Sequence, residues 1–324
     1  MKILAPLLIT LIVLLPGLAA CVHSAVYTSR VEKNYPPAGE LVDIDRGKVH
    51  VVRRGENGPV VLMIHGASAN AYEFTETLAP RLEKNHRVLM ADRPGHGYSS
   101  RPAKSRTLGV QAELMAEALK SLAPGEKAVV VGHSFGGAVA LRMALDYPEL
   151  VEGLVLLAPV SHDWGTDAQA WYTKAAARPI IGPAFSQLIP IAGPGQLDTG
   201  IVGVFHPEPA PDTYIEDSAA KLLFRPSEFR ANARDVANLR PELAAQQGRY
   251  GELKMPITLY SGLRDTVIKP ELHAGKLIKQ VPQLNLVDLP NGGHMPHHAH
   301  GAAIAETIQT LSATTPLSTA AVSQ

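Results

Sequence analysis

Ser134 stands in the run Gly132-His133-Ser134-Phe135-Gly136-Gly137, between the apolar β-formers Ala128-Val129-Val130-Val131 and a helix-like segment, Ala138 to Tyr147. A strand, a sharp turn with serine at its tip and a helix make a nucleophile elbow. Gly132 and Gly136 carry no side chain, so strand and helix can approach closely on either side of the turn. The helix N-terminus behind Ser134 directs free N–H groups, that of Phe135 among them, at an anion forming above it. A serine hydroxyl is a weak nucleophile and needs a base within hydrogen-bond reach, and histidine titrates in the right range. His294 follows Gly292-Gly293 at the end of the last expected strand, on a loop able to reach the elbow. The imidazolium formed during such a reaction needs an anionic partner. Asp265, just past a strand end, Asp163, after the preceding strand, and Asp288, within a strand, are the candidates. The chemistry is acyl transfer through a covalent intermediate, with N–H donors for its oxyanion.

Other histidines read differently. His133 adjoins the nucleophile, and a side chain there points away from the reacting atoms. His65 and His96, with Asp92, read as loop scaffolding. His297, His298 and His300 crowd close to His294. They could in principle ligate a metal, but the pattern is read as a solvated, histidine-rich helix start. No metal and no cofactor are expected.

The elements that must hold these residues alternate. A β-hairpin is expected over Leu41–Asp45 and Lys48–Arg53 around Arg46-Gly47. Strands follow at Val60–Ile64, Arg87–Ala91, Ala128–Val131 and Leu154–Leu157, with helices expected over Asn70–Glu83 and Val110–Leu122 and after the elbow. Continuous apolar strands separated by helices imply a mostly parallel, doubly wound sheet covered on both faces. From Ser161 to about Gly251 the rhythm stops. That stretch holds Trp164, Trp171, Phe185, Phe205, Phe224 and Phe229, and is dense in proline and glycine between Pro179 and Pro211. It is read as a largely helical cap inserted over the sheet's C-terminal edge, with Glu228–Leu239 its clearest helix. The rhythm resumes with strands at Ile257–Tyr260 and Leu284–Leu289 and helices over Glu271–Val281 and Ala302–Leu311. The division is therefore core 40–160, cap 161–251 and core 252–312, with a frayed tail over 313–324.

Composition bounds the partners. Lysine plus arginine and aspartate plus glutamate each number 30, so the formal net charge is zero, and no basic block stands out. Nucleic acid is not an expected partner. The 46% hydrophobic content is enough for a large core. One cysteine, Cys21, excludes an internal disulfide and a cysteine-rich zinc site. Met1-Lys2 precedes a nearly unbroken apolar run, Ile3 to Leu18, ending in Leu18-Ala19-Ala20-Cys21. Residues 1–20 are read as an export signal. Small residues before a lone cysteine resemble the lipobox of bacterial lipoproteins, which implies a lipidated Cys21 and membrane attachment in the cell envelope. A plain secretory signal and an uncleaved anchor are the other readings. Residues 21–39, polar and containing Pro36-Pro37, are read as a tether.

Over roughly residues 40 to 312 the chain resembles a capped α/β-hydrolase of the serine hydrolase branch. The resemblance rests on His65-Gly66, on Asp92 with Pro94-Gly95-His96-Gly97 and Ser99, on the serine elbow, on Gly262 with Asp265, and on Gly293-His294. It implies the triad order serine, acid, histidine, with Asp265 as the acid. It also implies a second oxyanion donor, the N–H of Ala67. Dehalogenases and epoxide hydrolases of the same superfamily use a carboxylate nucleophile, which Ser134 replaces here.

The expected function is hydrolysis of small carboxylic esters with a neutral or apolar acyl group. Perhydrolases resembling haloperoxidases and carbon–carbon bond hydrolases share the triad. A proline-releasing peptidase would want cap acids, for which Glu216, Asp217 and Glu228 are available but read as solvent-facing. A non-enzymatic ligand receptor is the remaining alternative, because fold does not fix function.

Overall fold

The computed structural model describes residues 4–166 and 169–313, with side chains outside residues 4–14. The tail expected beyond Ala313 and the first three residues of the expected signal lie outside the described residues.

Eight strands form one sheet: β1 Glu40–Ile44, β2 Gly47–Arg54, β3 Val60–Ile64, β4 Arg87–Ala91, β5 Ala128–His133, β6 Val151–Leu157, β7 Ile257–Gly262 and β8 Leu284–Leu289. Their order is β1-β2-β4-β3-β5-β6-β7-β8. The hairpin β1–β2 and the β2–β4 pair are antiparallel, and the remaining pairs are parallel. This is the doubly wound α/β sheet expected. β3 and β5 are buried at every position, because helices cover both faces. Two apolar clusters occupy the two faces: Val60, Leu62 and Ile64 project into one, and Val61 and Met63 into the other. That split is the period-two alternation of a strand.

Several elements differ from expectation. The helix expected over Asn70–Glu83 breaks into a 3-10 turn, Ala71–Phe74, and one α-turn, Ala79–Leu82. Asn70 caps the first turn by accepting the Tyr72 N–H, and Pro80 opens the second with no N–H to join the two. The segment expected over Glu271–Val281 likewise splits into Pro270–Leu272 and Ala274–Gln280. The clearest cap helix is longer than expected and runs Pro226–Gln246 through Pro241. The rest of the cap is a chain of short helices from Trp171 to Phe224.

The tether expected at 21–39 is instead helical as far as Asn34, continuous with Leu4–Asn34. No proline or glycine interrupts it after Gly17. Its second half docks on the cap. Val31 is buried with Ala219 and Leu222, Tyr27 donates to Lys221 O at 3.0 Å, and Glu32 pairs with Arg225 at 2.9 Å.

Candidate active site

β5 ends at His133 and a helix begins at Phe135, leaving Ser134 alone in the turn with φ 50° and ψ −115°. That region is strained for any residue with a side chain. Three backbone bonds hold it. Ser134 N–H donates to Leu157 O at 2.9 Å, and Ser134 O accepts from Gly137 N–H at 3.0 Å and Val160 N–H at 3.1 Å. The elbow closes because its glycines are bare. A Cβ on Gly132 would sit 2.6 Å from Gly136 O, and one on Gly136 would collide with Ile64 O.

His294 lies on the loop after β8, and Asp265 lies just past β7. His294 Nδ1 and Asp265 Oδ2 are 2.7 Å apart and both residues are buried. The other carboxylate oxygen, Oδ1, accepts Val267 N–H at 2.7 Å and Ile268 N–H at 2.8 Å, so Asp265 cannot rotate away. An Nδ1 facing a carboxylate carries the proton, which leaves Nε2 with a lone pair, the form a general base needs. Burial lowers the His294 pKa below its ordinary value, and the bond to Asp265 offsets part of that. The His294 ring lies 4.9 Å, centroid to centroid, from the ring of His133, the residue preceding Ser134. Ser134, Asp265 and His294 thus each follow the C-terminal end of a parallel strand, β5, β7 and β8. The other aspartates are elsewhere occupied: Asp163 pairs with Arg240 at 2.7 Å, and Asp288 is exposed within β8.

The loop after β3 carries His65-Gly66-Ala67-Ser68. It lies against the elbow, since a Cβ on Gly66 would stand 3.3 Å from Ser134 Cβ. Gly66 N–H donates to Glu73 Oε2 at 2.9 Å, and Ser68 N–H to Asn232 Oδ1 at 2.8 Å. Among the described residues, neither the Ala67 nor the Phe135 N–H has a protein partner.

Four neighbours of these residues carried no sequence signal. Glu73 forms an ion pair with His133 Nδ1, while His133 Nε2 donates to His294 O at 2.9 Å. Glu73 thereby touches the Gly66 loop and, through His133, the His294 loop. Burial alone would lower the His133 pKa, but Glu73 outweighs it and the net shift is upward. Arg93 is fully buried and its guanidinium stacks 4.2 Å over the Phe135 ring. Glu208, from the cap, accepts Gly293 N–H at 3.1 Å beside His294. Asn232 reaches Ser68 from the long cap helix.

Two readings of charge are corrected. His297 is buried, not solvated, because Pro296 turns the chain inward onto the rings of Phe74 and His133. Glu73, His133 and His297 lie close enough to suggest a metal site. Glu73 pairs directly with His133, and burial with the neighbouring histidines keeps the His297 imidazole neutral. Glu228 is also buried, not solvent-facing, and pairs with Arg225. Burial pushes its carboxyl up to about 7. Glu216 is tied to Lys221 at 2.7 Å. Neither is free to hold a substrate amine.

Ser134 is only 7% exposed. A cavity of about 230 Å³ opens nearby between Glu73, Glu76, Tyr214 and His298, and Ser134 does not line it.

Residues 59–175 match the family model for the alpha/beta hydrolase fold. The chain has the α/β-hydrolase fold. Among curated relatives, an uncharacterized Mycobacterium tuberculosis protein, Rv2715, is 27% identical over 281 residues, which is 82% of this chain and 80% of that protein. A 2-hydroxy-6-oxononadienedioate/2-hydroxy-6-oxononatrienedioate hydrolase from Comamonas testosteroni is 27% identical over 79% of this chain and 88% of its own. An esterase structure from Exiguobacterium antarcticum superposes with a TM-score of 0.69 at 19% identity, covering 86% of this chain and all of that one.

Proposed function

We propose that this α/β-hydrolase is a serine hydrolase cleaving carboxylic esters of neutral or apolar acyl groups. The observation that carries the reading is the buried 2.7 Å Asp265–His294 pair beside a serine held at positive φ on the elbow. His294 Nε2 takes the Ser134 hydroxyl proton as Oγ attacks the acyl carbonyl. The Ala67 and Phe135 N–H groups receive the oxyanion, and the charge of the imidazolium is balanced by Asp265. His294 then returns the proton to the alkoxide leaving group. Water, deprotonated by the same base, releases the acid and restores Ser134. No step needs a cofactor.

The Comamonas testosteroni relative supports a second reading, hydrolysis of a carbon–carbon bond next to a ketone, with the same serine and base. Its named substrates are dicarboxylates, and Arg234 of the cap lies within electrostatic reach of Arg230, Arg101 and Arg106, so experiment must separate the two readings. The distinguishing experiment sets p-nitrophenyl esters from acetate to long chains beside a 2-hydroxy-6-oxo-dienoate. Turnover of the esters alone supports the first reading, and turnover of the dienoate alone replaces it with the second.

For attachment, we infer export and lipidation at Cys21, which is exposed in the N-terminal helix. Leu18-Ala19-Ala20 before Cys21 supports it.

A further inference from the structure

Arg93 spends all five of its N–H donors inside the protein. Nε donates to His65 O at 3.2 Å. Nη1 donates to Gln111 Oε1 at 3.0 Å and Asp235 Oδ2 at 3.2 Å. Nη2 donates to Gly66 O at 3.1 Å and His96 Nε2 at 3.2 Å. His65 and His96 are neutral acceptors here, because burial and the neighbouring guanidinium hold their pKa values well below the ordinary histidine range. His65 Nε2 accepts the Arg93 N–H at 2.9 Å, so its proton sits on Nδ1, which donates to Gly66 O at 2.8 Å. Burial lowers the Arg93 pKa to about 10, which leaves it cationic at neutral pH.

The peptide group that joins Gly66 to Ala67 has two ends. Its C=O receives the Arg93 guanidinium and the His65 ring N–H. Its N–H is the Ala67 donor assigned to the oxyanion. A carbonyl bonded to a cation draws electron density away from its own N–H, and hydrogen bonds in such a chain strengthen one another. The preceding peptide is held at both ends by opposite charges: its C=O by Arg93 and its N–H by Glu73. The guanidinium carbon also sits 4.2 Å from the centroid of the ring of Phe135, whose N–H is the second donor.

We propose that Arg93 is the positioning residue of the oxyanion hole: its buried charge polarises the Gly66–Ala67 peptide and fixes the aim of the Ala67 N–H. Lysine could not do this, since one ammonium lacks the planar fork that spans two successive carbonyls. Asp235, from the long cap helix, supplies the counter-charge and also pairs with Arg101. The proposal rests on the serine hydrolase reading.

The test measures kcat and KM for p-nitrophenyl butyrate, per serine titrated with a fluorophosphonate, together with the Ki of an alkyl trifluoromethyl ketone. The ketone's hemiketal oxygen occupies the oxyanion hole. Arg93→Gln removes the charge, and Arg93→Lys keeps it without the fork. The expected result is a kcat lower by about 10–100-fold in Arg93→Gln, less in Arg93→Lys, with the ketone Ki rising in step and KM within about threefold. A role in folding alone would lower the titratable fraction and leave kcat per serine and Ki unchanged, which would overturn the proposal. If Arg93→Gln does not fold, Arg93→Met/Asp235→Asn removes both members of the buried pair, leaving the part-exposed Arg101 with its bond to Pro94 O, and the same readings apply. A wild-type protein that the fluorophosphonate does not label would overturn the serine reading and the proposal with it. A labelled wild type with an unaffected Arg93→Gln overturns the proposal alone.

Discussion

Asn232 of the cap bonds Ser68 of the oxyanion loop twice, accepting its N–H at 2.8 Å and donating to its Oγ at 3.0 Å. The cap thus grips the residue next to Ala67, and Ser68 itself sits at φ 60°. Asn232→Ala removes both bonds, and because Ser68 is exposed each loss costs only about 0.5–1.5 kcal/mol. The expected outcome is a kcat about tenfold lower, because the neighbouring Ala67 donor loses its aim. Steady-state kinetics on a short-chain ester check it, and a change confined to KM would place Asn232 in substrate binding instead.

Asp265→Asn keeps an acceptor oxygen for Val267 and Ile268 but no longer demands a proton on His294 Nδ1. An amide NH₂ facing Nδ1 favours the opposite tautomer, with the proton on Nε2 where the base must be free. A kcat lower by about 10⁴ is expected with the fold retained. Circular dichroism and kinetics together test this. Near-normal activity would move the acid to another residue.

The pH profile follows from His294. It acts as a base only when neutral, and burial lowers its pKa from the ordinary value of 6.5. Activity should therefore be complete above that value and fall as pH drops through the lowered pKa. The expected kcat/KM profile has its acid limb below pH 6.5, and a midpoint above that would mean that the Asp265 partner outweighs burial.

The Cys21→Ser variant addresses attachment. If Cys21 is lipidated, the variant loses the lipid, shown by the mass of the mature N-terminus, and leaves the membrane fraction. Unchanged partitioning would favour an intact N-terminal helix as the anchor.

The sheet was readable in the sequence, as was the strand-end placement of Ser134, Asp265 and His294, because each depends on local pattern. β3 is a pure apolar run, and the elbow needs glycines at fixed offsets from Ser134. Asp265 and His294 were readable as strand-end residues. The network around them was not. Glu73 falls inside the helix expected over Asn70–Glu83, and Arg93 follows the strand expected over Arg87–Ala91, with nothing local to mark either. Their roles come from contacts such as Arg93 to Asp235, 142 positions apart. His297 and Glu228 were misread for the same reason, since burial is set by tertiary packing and not by neighbours in the chain. The helix 21–34 was hidden because its polar surface reads as a tether until Val31, Tyr27 and Glu32 meet the cap.

The most direct measurement is the intact mass and peptide map of the protein treated with a fluorophosphonate, run beside p-nitrophenyl ester hydrolysis for wild type and Ser134→Ala. The account predicts one adduct per chain, on Ser134, with ester hydrolysis lost in step. In Ser134→Ala it predicts a folded protein with no adduct and activity down by at least about 10⁴. Full ester hydrolysis by Ser134→Ala, or an adduct on another residue with Ser134 unmodified, would contradict it.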